Sequence, residues 1–140
     1  MLNPWRKLLF ALCFFPLFFS CQKLIEDKKK DLLMELITNG TWYVSQYNEG
    51  AKDITQEFTD YHFRFFSDGI VTGKKGTAIE NGTWAGDVQN ISIDAQFPSA
   101  QPPLSKLTGV WKITDSGLDF VKAEMNNPPG KNFLHLLKNK

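Results

Sequence analysis

Cysteine, histidine and excess charge are all scarce in this chain. Two cysteines among 140 residues, Cys13 and Cys21, allow one disulfide at most. Two histidines, His62 and His135, with no Cys or His cluster around them, fall short of the three or four ligands that a zinc site uses. Neither a Gly-x-Ser-x-Gly elbow nor a phosphate-cradling Gly-rich loop is present. Sixteen Lys and Arg stand against fifteen Asp and Glu, a net charge of +1, so the basic surplus that nucleic acid attracts is missing. These absences argue against a metal centre, a bound cofactor, nucleic-acid binding and hydrolase chemistry of the Ser/His/Asp kind. A small hydrolase or isomerase using His62 or His135 ranks third and far behind, since only residue types speak for it. A charged share of 22% and a hydrophobic share of 42% are those of an ordinary folded domain.

The longest apolar run is also short. Leu8 to Phe19 spans twelve apolar residues broken only by Pro16, against the roughly 20 that a membrane-crossing helix needs. Arg6 and Lys7 precede it, and basic-then-apolar is the order of a secretory leader. Ser20-Cys21 closes the run. This ending resembles a bacterial lipoprotein signal, in which a small residue precedes the Cys that becomes the lipidated first residue; Phe18 and Phe19 stand where that motif carries an aliphatic and a small residue. Ordinary leader cleavage fits less well, because Phe18 occupies the −3 position. The alternative for Cys21 is a free thiol. Removal of residues 1–20 takes Cys13 away and leaves Cys21 without a partner, which fits an anchor and excludes a disulfide framework. It also leaves fourteen basic and fifteen acidic side chains, a net charge of −1. The resemblance implies a diacylglyceryl thioether and an amide-linked acyl chain on Cys21, enough chains for stable membrane attachment.

Three segments follow from this reading: a leader at 1–20, a lipidated tether with a short helix at 21–39, and one domain at 40–140. QKLIEDKKKD at 22–31 reads as a solvated tether. Leu32, Leu33, Leu36 and Ile37 share a helical face, with Ile25 as an extension, and Asn39-Gly40 is the expected stop. From Thr41 the apolar period switches to two. Strands are expected at 41–47, 61–66, 70–75, 77–85, 90–97, 109–114, 117–123 and 132–138. Asp68-Gly69, Lys75-Gly76 and Ser116-Gly117 mark tight turns, whereas Pro98 to Pro103 and Pro128-Pro129-Gly130 mark longer connections. Eight short strands joined mostly by hairpins predict an all-β antiparallel meander closed into a small barrel. Alternation puts Tyr61, Phe63 and Phe65 on one face against His62, Arg64 and Phe66, and Ile91, Ile93, Ala95 and Phe97 against Ser92, Asp94 and Gln96. Leu118, Phe120 and Lys122 oppose Asp119 and Val121, a less clean split. Arg64, the one arginine after the leader, falls on the expected outer face. Phe63, Phe65, Ile93, Phe97 and Phe120 are the candidates for lining an apolar pocket; such a group is more often plain core.

Asn-Gly-Thr-Trp occurs at 39–42 and at 81–84, and Thr-Gly-Val-Trp at 108–111. Trp42, Trp84 and Trp111 thus each stand two residues after a glycine at a strand start, so the ring is expected to fill the space that the glycine leaves. With the DYHFRFFSDG stretch at 60–69, these segments resemble the lipocalin pattern, and more closely the lipocalin-like lipoproteins common in Bacteroidota, over roughly residues 40–138. The resemblance implies a small lipocalin-like barrel after a short helix, with Trp42 packed across a closed end against Lys138 or Lys140. It also implies a non-catalytic module for a small hydrophobic ligand, anchored to the bacterial cell envelope through Cys21, with the outer membrane favoured over the inner. The alternative is a structural or interaction lipoprotein whose filled core serves only to present a docking surface. Replacing Cys21 with Ser is expected to abolish incorporation of labelled palmitate and to release the protein from the membrane fraction; unchanged labelling in Cys21→Ser refutes the anchor.

Overall fold

The computed structural model describes residues 19–140, with side chains from Lys23 onward. The leader expected at 1–20 therefore lies outside the described residues except for the backbone of Phe19 and Ser20, as does the side chain of Cys21. One helix, α1, spans Phe19–Thr38. Nine strands follow: β1 Trp42–Glu49, β2 Lys52–Asp53, β3 Tyr61–Phe65, β4 Ile70–Lys75, β5 Ala78–Asp87, β6 Ser92–Gln96, β7 Gly109–Ser116, β8 Phe120–Asn127 and β9 Gly130–Lys138. Apart from the two-residue β2, each strand pairs antiparallel with the next in sequence, and β9 returns to β1 from Trp42↔Lys138 to Glu49↔Asn132. Eight strands thus close into a lipocalin-like antiparallel barrel, as the period-two pattern predicts.

Closure sorts the connections to two ends. The hairpins β3–β4, β5–β6 and β7–β8 lie at the end where α1 enters β1. The β1–β2 hairpin and the β4–β5, β6–β7 and β8–β9 connections lie at the other. At the helix end, Asp68 accepts the Ile70 N–H at 3.0 Å and Gly69 takes φ +86°, a conformation that glycine enters freely. At the far end, a 3-10 turn at Thr55–Phe58 and another at Leu104–Leu107 fold buried Phe58, Leu104 and Leu107 over the opening. The sequence pattern did not show the first of these, since one turn of TQEF carries no period.

Several expectations need correction. The charged segment at 22–31 is exposed but helical, continuous with the rest of α1. The expected apolar face is also rotated. Ile37 is buried and Leu33 and Met34 pack against the core, whereas Leu32 is 66% exposed and Ile25 54% exposed. Only the last turns of α1 meet the barrel, so the apolar period upstream has nothing to face. Pro128-Pro129 forms a tight link, with Asn127 paired to Gly130, not a longer connection. The strand expected at 117–123 starts at Phe120 and runs to Asn127, with Val121 and Ala123 buried while Phe120 is only half-buried and Leu118 is 83% exposed. The Gly117 N–H to Phe120 carbonyl bond at 2.9 Å ends the turn there, and an irregularity between Ile113 and Asp115 shifts the β7–β8 register. A one-residue slip moves every side chain to the opposite face.

The Gly-x-Trp expectation also changes. The indoles do not fill the glycine positions. A Cβ on Gly40 would press on the Lys138 stem at 3.3 Å, one on Gly82 would collide with the Gln96 carbonyl oxygen and the Phe97 ring, and one on Gly109 would strike the Met125 sulfur. Each glycine admits a neighbouring strand's atoms, and its tryptophan packs two residues further on. Gly76, by contrast, sits at φ +60° with open space around it. Gly76→Ala is expected to cost about 1–2 kcal/mol through its backbone conformation alone. Gly82→Ala is expected to cost more, up to about 3 kcal/mol, because the β5–β6 pair has to part. Urea unfolding of the two variants checks the order, and an equal or reversed order contradicts it.

Candidate functional site

Three layers fill the barrel from one end to the other. At the helix end, Trp42 is fully buried at the start of β1. Its Nε1 donates to the Ile37 carbonyl at 2.9 Å and so ties the last turn of α1 to the barrel. The Lys138 ammonium stands 4.9 Å from the Trp42 ring centroid and donates to the Leu36 carbonyl at 3.3 Å. That cation serves the ring face and an orphan helix carbonyl together. Of the two lysines considered, Lys138 is the one in place, because its pairing with Trp42 across β9 puts it there.

At the far end, Tyr47 is fully buried and stacks on Phe58 with centroids 5.1 Å apart. Its hydroxyl donates to the Lys106 carbonyl at 2.8 Å and accepts from the buried Asn132 amide at 3.3 Å. Lys106 in turn pairs with Glu57 at 3.0 Å and Glu49 at 3.4 Å. Burial, partly offset by the Asn132 bond and assisted by the negative charge of Glu49 and Glu57, pushes the Tyr47 hydroxyl up to about 12. None of this was visible in sequence, because it joins residues 47, 106 and 132 through space.

Between the two layers lies a cavity of about 50 Å³ with a wholly apolar wall. Of the residues expected to line such a pocket, Phe63, Phe65, Ile93 and Phe97 do so and Phe120 does not. The β8 positions in the wall are Val121 and Ala123, while Phe120 turns outward with its ring edge to His135 and the Lys122 ammonium 5.6 Å from its centroid. Trp111 also lines the cavity, its Nε1 bonded to the Leu107 carbonyl at 2.9 Å. Trp84 is buried beside the wall, edge-on to Phe65 at 5.4 Å, with its Nε1 on the Phe66 carbonyl. The sequence reading missed Val71, Ala95, Leu107, Ile113, Leu134 and Leu136 as wall residues. In β9 both phases are apolar, Leu134 and Leu136 against Phe133 and Leu137, so alternation alone does not choose between them. In β8 the lysine at 122 was the available signal, since it shares the phase of Phe120.

The histidines are apart from the cavity and from each other. His62 Nδ1 accepts from the Asn139 amide at 2.9 Å on the outer face of β3. His135 is half-buried on the outer face of β9; burial and the nearby Lys122 charge hold it below the usual imidazole range, and its Nε2 has no partner. Among the described residues neither imidazole is hydrogen-bonded to a carboxylate or hydroxyl, and no three His, Cys, Asp or Glu side chains gather as a metal site. None of the described helices is long and apolar enough to cross a membrane.

No protein-family model matches the chain, and no curated protein sequence matches it. Solved structures similar in fold include the following two. A protein of the DUF4847 family from Bacteroides vulgatus superposes with a TM-score of 0.55 at 14% identity, covering 77% of this chain and 98% of that one. Japanin from Rhipicephalus appendiculatus, in complex with cholesterol, superposes with a TM-score of 0.52 at 9% identity, covering 74% of this chain and 76% of its own.

The Tyr47 network predicts a specific alkaline weakness. With the hydroxyl near 12 folded and near 10 unfolded, its contribution is fully present below pH 10 and is lost as pH rises through 12. About 2–3 kcal/mol of stability should disappear over that window. Urea midpoints of the protein and of Tyr47→Phe should converge across it; a constant difference between the two contradicts the assignment.

Proposed function

We propose that this chain is a non-catalytic binding module of the bacterial cell envelope, lipid-anchored through Cys21, whose barrel takes the apolar end of one slim ligand. The observation that carries the reading is the cavity: about 50 Å³, bounded by thirteen apolar residues. A buried space without polar partners does not hold water well and does hold small apolar groups. One water needs roughly 10–15 Å³ of such space, and drug-sized ligands roughly 300 Å³ or more. A short stretch of unbranched chain fits between those limits. The sterol carried by Japanin is too bulky for this interior, so a narrower ligand is the match. Anchorage and envelope location rest on the leader and on Cys21, and the α1 helix between Cys21 and the barrel would serve as the spacer.

The same volume favours a second reading, in which the barrel is a nearly filled scaffold that docks another envelope protein through its surface. The two separate cleanly by experiment. Titration with a bromine-tipped medium-chain fatty acid should quench indole fluorescence saturably, because Trp111 is part of the cavity wall. Ala123→Leu and Ala95→Leu, which fill that space, should weaken the quenching about tenfold or more while leaving the melting temperature unchanged or raised. No saturation in the wild type, together with no small molecule co-extracted in native mass spectrometry, overturns the ligand reading in favour of the filled scaffold.

A further inference from the structure

The outer wall of the barrel carries a separate feature. Along β3 the outward residues are His62 and Arg64, and across the β3–β4 ladder they face Lys74 and Thr72. Directly opposed side chains on one face of a sheet stand about 5 Å apart at Cβ. His62, Arg64, Thr72 and Lys74 therefore form a compact block, and with Thr41, Asp60 and Gly76 they line an open groove of about 580 Å³. Its walls carry two cations and one imidazole against a single acid, Asp60, which lies at the Gly76 end beyond His62.

Three details separate this block from an ordinary solvated face. First, Arg64 and Lys74 are placed by the β3–β4 register on one wall of the same groove, next to the His62 imidazole and the Thr72 hydroxyl. Second, the Arg64 guanidinium lies over the Phe66 ring, 5.0 Å from its centroid, and among the described residues no protein group accepts from its donors. Third, the Asn139 amide donates to His62 Nδ1, which leaves Nε2 as the protonated, donating nitrogen. Arg64 and Lys74 stand diagonally across the β3–β4 ladder, so an oxyanion seated between them would meet both charges at once.

We propose that this groove binds a phosphoryl group, with Arg64 supplying a bidentate contact, Lys74 a point charge, and His62 and the Thr72 hydroxyl further hydrogen bonds. Guanidinium geometry matches two phosphate oxygens at once, and charge-assisted bonds of this kind are the strong ones. The site is independent of the interior, because Phe63 and Phe65 on the same strand face the cavity and the sheet separates the two. The phosphoryl group belongs either to a lipid headgroup, which is a diester, or to a free phosphorylated solute, which is a monoester.

The test is a titration of the full ¹⁵N-labelled chain in a nonionic detergent, at constant ionic strength, with inorganic phosphate, glycerol 3-phosphate and the diester glycerophosphoglycerol. The Arg64 Nε–Hε resonance and the Thr72 amide should shift saturably with at least one of the three. Saturation with the diester assigns a headgroup, and saturation with inorganic phosphate or glycerol 3-phosphate but not the diester assigns a soluble ligand. Arg64→Ala and Lys74→Gln, both exposed positions, should each weaken binding about tenfold, as loss of one charge-assisted contact does, while Lys112→Ala leaves it unchanged. Shifts linear in concentration for all three compounds, or the same affinity in Arg64→Ala as in the wild type, overturn the proposal.

Discussion

The barrel depends on the burial of one indole at the point where its sheet closes. Trp42 opens the first strand, pairs with the end of the last strand at Lys138 and bridges to the third at Phe63. Its ring is sealed on one side by the final turn of α1 and on the other by the Lys138 stem and ammonium. A sheet has no edge to protect once its first and last strands meet. Here that meeting is pinned by a side chain too large to relocate without opening a hole. Helix, C-terminal strand and β3 are held together through it, so the helix end of the barrel has one arrangement.

The size of the interior follows from the side chains that closure brings inward. Eight short strands give a narrow tube, and three tryptophans, Tyr47 and several phenylalanines occupy most of it. Both ends are stopped, Trp42 beneath α1 at one and Tyr47 with Phe58 at the other. The residual space is found where small residues, Ala95 and Ala123, face the rings. Dispersion contacts and burial make such filling favourable in itself. The surviving apolar void is therefore the feature that packing alone leaves unexplained, and it is what gives the binding reading its weight.

Strand β3 shows how one short segment serves two surfaces. Its inward residues, Phe63 and Phe65, are wall; its outward residues, His62 and Arg64, line the outer groove and, among the described residues, form no ion pair. The two surfaces do not communicate through contacts, since the pleat directs them to opposite sides. An apolar interior and a cationic exterior groove on one strand pair allow a ligand's tail and a phosphoryl group to be met by different parts of a small domain.

Much of this architecture was legible in the chain. Alternation over 61–66 and 93–97, the Asp68-Gly69 turn and the glycine before each tryptophan are local features, and local features act before the chain has folded; ahead of Ile93 the expected alternation fails, with Ile91 exposed at φ +50° and Ser92 buried. They specify strand, turn and which face of a strand is apolar. The phase of β9 was not legible, because Phe133 and Leu137 are as apolar as Leu134 and Leu136 and only the register with β8 and β1 chooses between them, whereas in β8 Lys122 marked the outward phase. The job of the three glycines was not legible either: the atoms that need the room belong to Lys138, Phe97 and Met125, distant in sequence from the glycines they approach or on the neighbouring strand. Nor was the size of the cavity or the basic block on the outer wall. A cavity is the small remainder after a large volume has been filled, and a charge cluster is a matter of strand pairing. Both exist only once segments far apart in the chain are set side by side.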